Sequence, residues 1–370
     1  MNQPVSQRIV VKVGTSVLTG GTTRLSTQRM LALVQQTAQL HAAGHEVVLV
    51  SSGAVAAGRE RLNFPALNPA MPVKQMLSAV GQGRLIQRYS DLYDIFEVVV
   101  AQVLLTRDDL GNRERFLNAR DTLLTLIDQR IIPIINENDT IATEEIRVGD
   151  NDNLSALVAT LIEADLLVLL TDQQGLFTAD PRKHADASLI ERVERITDET
   201  FALAGGTSTG LGTGGMVTKL QAAKLATRGG VATVIASGDR PNVLTDLAAG
   251  VSIGTRFETS REGIERRKRR LLIEKVRGRL LVDAGAARKL LSGGASLLPV
   301  GVTGVEEDFK RGSTIAIIGP DGRELAHGVT AYDSDAIRRL IGVQSGHIQE
   351  ILGYNYGDAL IHRNNMVLMG

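Results

Sequence analysis

The absence of cysteine from this sequence excludes several kinds of site. None of the 370 residues is a cysteine, so the chain can form no disulfide, offers no thiolate nucleophile and cannot bind zinc through sulfur. The H-R-D loop of the protein kinases is missing as well. Any catalysis must therefore depend on lysines, carboxylates, hydroxyl groups and backbone amides.

An excess of charge of one sign is also missing. The 41 basic and 41 acidic residues cancel, which gives no support for a global electrostatic attraction to nucleic acid, although a local patch remains open. No apolar run approaches the roughly 18–20 residues of a membrane span, and no signal peptide precedes the first predicted strand. We therefore expect a soluble, cytoplasmic protein without a membrane partner.

An alternation of apolar strands and helices occupies the first two thirds of the chain. The runs rich in Val, Ile and Leu predict strands that are buried on both faces: Ile9–Val13, Glu46–Val50, Glu97–Leu104, Ile131–Ile135, Leu166–Leu170 and Val231–Ala236. The helices predicted between them are Thr27–Ala43, Lys74–Leu92, Arg113–Asp128, Asn153–Glu163 and Met216–Arg228. This order predicts an α/β fold with a mostly parallel sheet between layers of helices.

The character of the sequence changes after residue 258. Residues 261–278, REGIERRKRRLLIEKVRG, are strongly basic and compatible with a solvated linker helix. Beyond them, short strands are predicted among Gly, Pro and Asp residues, at Arg279–Val282, Thr314–Ile318 and Glu324–Val329. We therefore predict one domain over 1–258, a basic linker over 259–277 and a small β-rich domain over 278–370.

Small or polar residues follow four of the predicted strands. They are Gly14-Thr15-Ser16, Ser51-Ser52-Gly53, Asn136-Glu137-Asn138-Asp139 and Thr171-Asp172. Strand ends generally favour turn-forming residues, so one such cluster indicates little. Because ligands of parallel sheets bind outside the carboxyl ends of the strands, four clusters at one edge predict a site there.

Lys12 stands inside the apolar strand VVKVG, two residues before the glycine. Burying an unpaired ammonium is costly, so such a lysine must pair with an acid, extend to solvent or face a ligand anion. Gly14 would let a phosphate approach the backbone, and Thr15 and Ser16 add hydrogen-bond donors. From these residues alone, an anion site and a structural ion pair are equally well supported.

A second lysine, Lys219, follows a glycine-rich loop in the stretch TGLGTGGMVTKLQAAKLA, residues 209–226. A loop of this kind that leads into a helix is a ready anion site, because free backbone N–H groups and the positive end of the helix dipole point at the ligand. The G-x-G-x-x-G pattern here lacks the strand that must precede a dinucleotide fingerprint, and no Gly-Lys-Ser/Thr of a P-loop is present. The stretch therefore predicts a phosphate loop of another design.

The stretch from 135 to 159, INENDTIATEEIRVGDNDNLSALVA, carries more Asn and Asp than helix capping requires. We interpret it as a possible hairpin over Ile141–Val148 followed by a cap that also forms a pocket for a small, charged substrate. Two lysines, glycine loops and no obvious general base fit phosphoryl transfer, in which positioning and charge neutralisation do most of the work. A carboxylate acceptor fits best, since it is already ionised at neutral pH.

These residues resemble a known family, the glutamate 5-kinases of the amino acid kinase fold. The resemblance covers nearly the whole chain, through VVKVGTSVLT, VSSGAVAAGRERL, RERFLNARDTL, PIINENDT, VGDNDNLSALVA, LLTDQQGLFTADPR and GLGTGGMVTKLQAA. The C-terminal LLVDAGAARKLLSGGASLLPVGV and the stretches after it are similar to a PUA domain. The implied fold is a three-layer α/β sandwich with a PUA-like domain.

The resemblance also implies an activity and a site. It implies phosphorylation of the γ-carboxylate of L-glutamate by ATP, the first step of proline synthesis, with feedback inhibition by proline. Lys12 and Lys219 would flank the transferred phosphoryl group, and Asp150 would orient both lysines. The residues implied to bind glutamate are Ser52, Gly53, Asp139 and Asn151. Those implied to bind ATP are Gly14, Thr15, Ser16, Thr171, Asp172, Thr213, Gly214, Gly215, Met216, Val217, Thr218 and Lys219. Mg²⁺ would arrive on ATP without a dedicated protein site, and the chain would be a homo-oligomer, a dimer or a tetramer.

Two alternatives remain open from the sequence. One is a kinase of another amino-acid carboxylate, acetylglutamate or aspartate. The other is an RNA-binding protein that acts through the PUA-like domain and the basic segment.

Overall fold

The structure is a computed structural model that describes residues 6–68, 70–141, 151–205, 215–259, 275–292 and 294–369. These residues fall into two compact units, one within 1–111 and 122–263 and the other within 112–121 and 264–370. Each unit has its own apolar core. Among the described residues, no helix is both long enough and apolar enough to cross a membrane.

A sheet of eight strands, counted over the described residues, forms the centre of the first unit. Its strands are β1 (Arg8–Val13), β2 (Glu46–Ser51), β3 (Val100–Leu105), β4 (Ile132–Glu137), β5 (Leu166–Thr171), β6 (Arg192–Val193), β7 (Ala232–Ser237) and β8 (Thr255–Phe257). The spatial order is β3-β4-β2-β1-β5-β7-β8-β6, and β8 runs antiparallel to β7. The strands from β3 to β7 in this order pair in parallel, as the sequence predicts.

The helices of this unit cover both faces of the sheet. They are α1 (Thr15–Thr19), α2 (Thr27–Ala42), α3 (Ala54–Arg61), α4 (Met71–Asp94), α5 (Arg107–Gly111), α6 (Arg113–Asp128, which begins in the second unit), α7 (Asn151–Leu161), α8 (Asp198–Leu203), α9 (Gly215–Arg228) and α10 (Val243–Ala248). One face of the sheet packs with α2, α4 and α10 into a single core. The opposite face packs against α7 and α9. The sheet therefore lies between two layers of helices.

The alternation of side chains along β1 decides where Lys12 points. Ile9, Val11 and Val13 belong to the core shared with α2 and α4. Since successive side chains of a strand point to opposite faces, Lys12 faces the layer of α7 and α9. Its backbone lies between β2 and β5, in register with Val50 and Leu169. Lys12 therefore lies in the middle of the sheet, near the carboxyl end of a central strand.

Among the element boundaries that differ from the prediction, two have identifiable reasons. The predicted strand Glu97–Leu104 begins only at Val100, because Glu97 has a φ of 56°, in the left-handed region that a strand cannot include. The predicted helix Asn153–Glu163 begins two residues earlier, at Asn151. Asp152 thus lies in the first helical turn, where the helix dipole favours an acidic side chain.

The second unit contains a five-stranded sheet in its described part. Its strands are β9 (Arg279–Val282), β10 (Val302–Glu306), β11 (Thr314–Ile318), β12 (Glu324–Val329) and β13 (Met366–Leu368), in the order β10-β9-β11-β12-β13. The three C-terminal strands predicted from the sequence coincide with β9, β11 and β12. The described α-helices that lie wholly within this unit are α11 (Ala284–Leu291), α12 (Ser334–Leu340) and α13 (Ile348–Leu352).

Helices α3 and α4 cross at a contact that only glycine permits. A Cβ atom at Gly81 would lie 1.8 Å from the carbonyl oxygen of Ala54, and a Cβ at Gly58 would lie 1.9 Å from the carbonyl oxygen of Leu77. Both obstacles are backbone atoms, so they cannot move aside as a side chain can. The crossing therefore holds α4 at a defined distance from α3 and from the sheet.

We expect Gly81→Ala to lower the free energy of unfolding by about 1–3 kcal/mol or more, because the added methyl group must push two helix backbones apart. Gly83→Ala is the matched control on the same helix, since nothing lies within 4 Å of a Cβ there. The control should raise stability by about 0.5–1 kcal/mol, the usual gain from replacing a helical glycine. Urea unfolding of both variants tests this expectation, and equal stabilities would contradict it.

Candidate active site

The carboxyl ends of the central strands meet at one edge of the first sheet. Backbone hydrogen bonds join them, from the N–H of Ser52 to the carbonyl of Val13 at 3.0 Å and from the N–H of Gly238 to the carbonyl of Thr171 at 2.8 Å. The order of the strands reverses beside β1, which is the position where open α/β sheets bind ligands.

Lys12 forms a buried ion pair with Asp152 of α7. Its Nζ atom lies 2.5 Å from Oδ1 of Asp152. Lys12 is 4% exposed and Asp152 is fully buried. The buried ammonium thus has an acidic partner, which is one of the three alternatives that the sequence left open.

Lys219 of α9 reaches the other oxygen of the same carboxylate. Its Nζ lies 3.1 Å from Oδ2 of Asp152 and 3.2 Å from the carbonyl oxygen of Gly215. The hydroxyl of Thr218 also donates to Oδ2, at 2.9 Å. One carboxylate therefore holds two ammonium groups that come from distant parts of the chain.

The two lysines keep Asp152 ionised despite its burial. Burial alone would raise the pKa of this carboxyl, but the adjacent charges of Lys12 and Lys219 and the hydrogen bonds that they and Thr218 provide hold the pKa below its ordinary value. With Asp152 charged, the cluster contains two ammonium groups and one carboxylate. This cluster therefore keeps one positive charge in excess, which suits an anionic ligand.

Asn151 organises a second, polar cluster beside the lysines. Its Nδ2 donates to Oγ of Ser52 and to Oδ1 of Asn136, each at 2.9 Å, and lies 3.3 Å from the carbonyl oxygen of Ser51. Its Oδ1 is buried and has no hydrogen-bond partner among the residues that the structure describes. A buried acceptor without a donor is costly, so this oxygen marks a place where a ligand can donate a hydrogen bond.

Asp139 and Gly53 lie at the ends of neighbouring strands. Oγ of Ser78 on α4 donates to Oδ2 of Asp139 at 2.7 Å. Gly53, which follows Ser52, has a φ of 109°, and a Cβ there would lie 3.1 Å from a methyl group of Leu18. The turn after β2 thus requires glycine for both its conformation and its packing.

The segment after β1 differs in part from its prediction. Thr15 and Ser16 begin the short helix α1 rather than an open turn, and both are exposed. A Cβ at Gly14 would lie 3.6 Å from Nζ of Lys12, so the backbone of Gly14 runs close beneath the ammonium group. This short distance allows one anion to contact both.

The residues predicted to bind the nucleotide are only partly described. Thr171 is buried at the end of β5, and its Oγ1 donates to the carboxylate of the exposed Asp172 at 3.0 Å. Gly215 and Met216 open α9, whereas the side chain of Val217 is 1% exposed. Val217 can therefore offer a ligand only its backbone.

Asp150, Thr213 and Gly214 lie outside the described residues, so their predicted roles stay predictions. Among the described residues, the carboxylate that contacts both lysines is Asp152, which sequence reasoning did not single out. Asp152 shares a buried face of α7 with Ser155, Ala156 and Ala159, which follow it at helical spacing. This spacing is the signal by which Asp152 could have been identified. Ser78 and Gln82 were also missed as members of the site, because their contacts are with distant parts of the chain, whereas Asn136 was included in the predicted cluster after its strand.

Comparison with known proteins gives matches over both units. The sequence model described as "Amino acid kinase family" matches residues 7–237, and that described as "PUA domain" matches residues 278–352. The glutamate 5-kinases of Sodalis glossinidius and of Enterobacter sp. are each 54% identical to this chain over 363 residues, which cover 98% of this chain and 99% of theirs. The chain is thus similar to these kinases along its full length.

A solved structure is similar in fold. Carbamate kinase from Giardia lamblia bound to AMP-PNP has a TM-score of 0.50 and 21% sequence identity, with 70% of this chain and 100% of that chain covered. At this identity the likeness concerns the fold alone. Together with the two family matches, it confirms the predicted α/β kinase fold with a separate β-rich unit.

Proposed function

Because the chain belongs to the amino acid kinase family, among its glutamate 5-kinases, we propose that it transfers the γ-phosphoryl group of ATP to the γ-carboxylate of L-glutamate. The observation that carries the proposal is the cluster of Lys12, Lys219 and Asp152. It places two buried ammonium groups around one carboxylate at the carboxyl edge of the sheet.

The two lysines would offset the electrostatic repulsion between the two substrates of this reaction. A negatively charged phosphoryl group must approach a negatively charged carboxylate, and at about 3–4 Å the two repel each other. Lys12 and Lys219 would neutralise the oxygens of the transferred group, and Asp152 holds both ammonium groups in place before the substrates arrive. The acceptor carboxylate is already ionised, so no general base is needed.

Glutamate would bind at the cluster around Asn151. Ser52 and Asn151 supply a hydroxyl and an amide beside the lysines, and Asp139 supplies a carboxylate held by Ser78. Oδ1 of Asn151 and the Asp139 carboxylate can both accept hydrogen bonds from the α-ammonium group of an amino acid. Gly53 would give the substrate access to the backbone after β2.

ATP would bind along the edge that Gly14, Thr171 and the start of α9 form. The backbone N–H groups in the first turn of α9 can donate hydrogen bonds to the phosphates of ATP. Mg²⁺, arriving with ATP, would supply further charge neutralisation. Both oxygens of Asp152 are already engaged by the lysines, so this carboxylate is not free for the ion.

Further proposals concern regulation and organisation. We propose that the reaction is the first step of proline synthesis, that proline inhibits the enzyme, and that the chain works in the cytoplasm as a dimer or tetramer. We also propose the division into 1–258, 259–277 and 278–370. The separate apolar cores of the two units support this division.

Measuring ADP release with a panel of acids tests the proposed function. Glutamate should turn over faster than aspartate or acetylglutamate, and added proline should reduce the rate. Faster turnover of aspartate or acetylglutamate would instead support the alternative carboxylate kinases. Acetylglutamate is the more informative comparison, because its acetylated nitrogen is not an ammonium group.

RNA binding by residues 278–370 is the second candidate. It is favoured by two exposed aromatic rings in the second unit, Tyr354 and Tyr356, whose ring centroids lie 5.0 Å apart. Bases of single strands stack on such groups. Filter binding at rising salt tests this function, and the absence of salt-sensitive binding would eliminate it.

A further inference from the structure

One face of α4 contacts the substrate-binding cluster. Ser78, Gln82, Tyr89 and Tyr93 lie within about 60° of one another around the helix at its 3.6 residues per turn. The first three reach residues at the carboxyl ends of β2 and β4. Ser78 donates to Asp139 at 2.7 Å, Gln82 accepts from Asn136 at 2.8 Å, and the hydroxyl groups of Tyr89 and Ser51 lie 2.9 Å apart.

Gln82 is joined to Asn151 through a chain of amide groups. Oε1 of Gln82 accepts from Nδ2 of Asn136. Oδ1 of Asn136 accepts from the backbone N–H of Glu137 and from Nδ2 of Asn151, both at 2.9 Å. Asn136 is 3% exposed and Asn151 is 8% exposed, so water has little access to compete for these bonds.

The direction of each amide in this chain follows from its neighbours. The backbone N–H of Glu137 can only donate, so it requires the oxygen of Asn136 on its side. The amide nitrogen of Asn136 must then face Gln82, which offers an oxygen, and the nitrogen of Asn151 must face the oxygen of Asn136. The remaining polar atom of the Asn151 side chain is Oδ1, which is buried and has no partner within the described part of the chain.

We propose that Gln82 is a positioning residue for the amino-acid substrate: acting through Asn136, it fixes the amide of Asn151 so that the buried Oδ1 accepts a hydrogen bond from the substrate's α-ammonium group. The inference rests on the proposed function, because it takes glutamate as the substrate. It assigns recognition of the free amino group to this chain of amides. Gly81, next to Gln82, holds this turn of α4 at its contact with α3.

Replacing Gln82 by leucine tests the role. Gln82→Leu removes the acceptor for Nδ2 of Asn136, so the amide of Asn136 and, through it, the amide of Asn151 are held by one hydrogen bond fewer. We expect the KM for glutamate to rise about tenfold, the effect of one lost hydrogen bond of ordinary strength, while kcat and the KM for ATP change less than about twofold. Steady-state ADP release measures all three quantities.

Two further variants distinguish a positioning role of Gln82 from a role in packing alone. Gln82→Glu keeps an oxygen acceptor toward Asn136 and should have a KM for glutamate close to that of the wild type. Gln87→Leu is the matched control, because Gln87 is an exposed residue of the same helix whose amide reaches only Asp91. It should leave all the kinetic constants unchanged. If Gln82→Leu proves unstable, Gln82→Met replaces it with an unbranched side chain.

A substrate analogue identifies which part of glutamate is recognised. Glutarate lacks the α-ammonium group, so the preference of kcat/KM for glutamate over glutarate should shrink about tenfold in Gln82→Leu. An unchanged preference, or an equal rise of KM in Gln82→Glu, would overturn the proposal while leaving the proposed function intact. A wild-type protein that releases no ADP with glutamate would overturn both.

Discussion

Asp152→Ala is expected to lower kcat by on the order of 10²-fold or more, because the two lysines lose the carboxylate that holds them. Lys12 and Lys219 would then face each other as buried like charges. Removing one partner of a buried ion pair costs about 3–5 kcal/mol, so the free energy of unfolding should fall as well. Turnover of glutamate and urea unfolding measure the two effects.

Asp165→Ala is the matched control for this loss. Asp165 is an exposed carboxylate at the opposite edge of the same sheet, where it accepts a hydrogen bond from the backbone N–H of Arg8 at 2.7 Å. Its removal should leave kcat unchanged. Asp152→Asn keeps the shape of the side chain but removes its charge, so it should also lose most activity. An Asp152→Asn variant as active as the wild type would show that the charge is not needed.

Lys219→Ala should reduce kcat by on the order of 10²-fold or more, with kcat/KM falling by the same factor. The reason is that Lys219 is proposed to stabilise charge that develops in the transition state rather than to bind glutamate in the ground state. The protein should remain folded, because Asp152 keeps Lys12 as its partner. Steady-state kinetics with circular dichroism on the same samples provide the measurement.

Lys224→Ala controls for the loss of a lysine from the same helix. The Nζ of Lys224 lies 5.2 Å from the ring centroid of Phe201 and takes no part in the ion pairs with Asp152 that the structure describes. Its replacement should not change kcat. Lys219→Arg should recover little activity, since a planar guanidinium does not occupy the position of a compact ammonium. Near-normal turnover in Lys219→Ala would contradict the proposed mechanism.

Much of the fold could be predicted because its signals are local. Nearly continuous Val, Ile and Leu runs marked the central parallel strands, and the strands β9, β11 and β12 coincide with their predicted ranges. The short helix α1 was missed, since Gly14, Thr15 and Ser16 are typical of turns as well as of helix starts. The late start of β3, at Val100, depends on the backbone conformation of Glu97, which sequence patterns do not specify.

The sequence by itself singled out Lys12 and Lys219 as candidate residues of a phosphate site, because a lysine inside a buried strand and a glycine loop before a helix are both unusual and both local. Only the tertiary structure showed that Asp152 contacts both of them. The stretch GDNDN offers Asp150 and Asp152 two residues apart, and helical phase, with the packing of α7 on β1, turns Asp152 toward both lysines. Tertiary structure likewise decided that Gln82 meets Asn136, since hydrogen bonds between residues far apart in the chain depend on how helices pack and leave no pattern in the sequence.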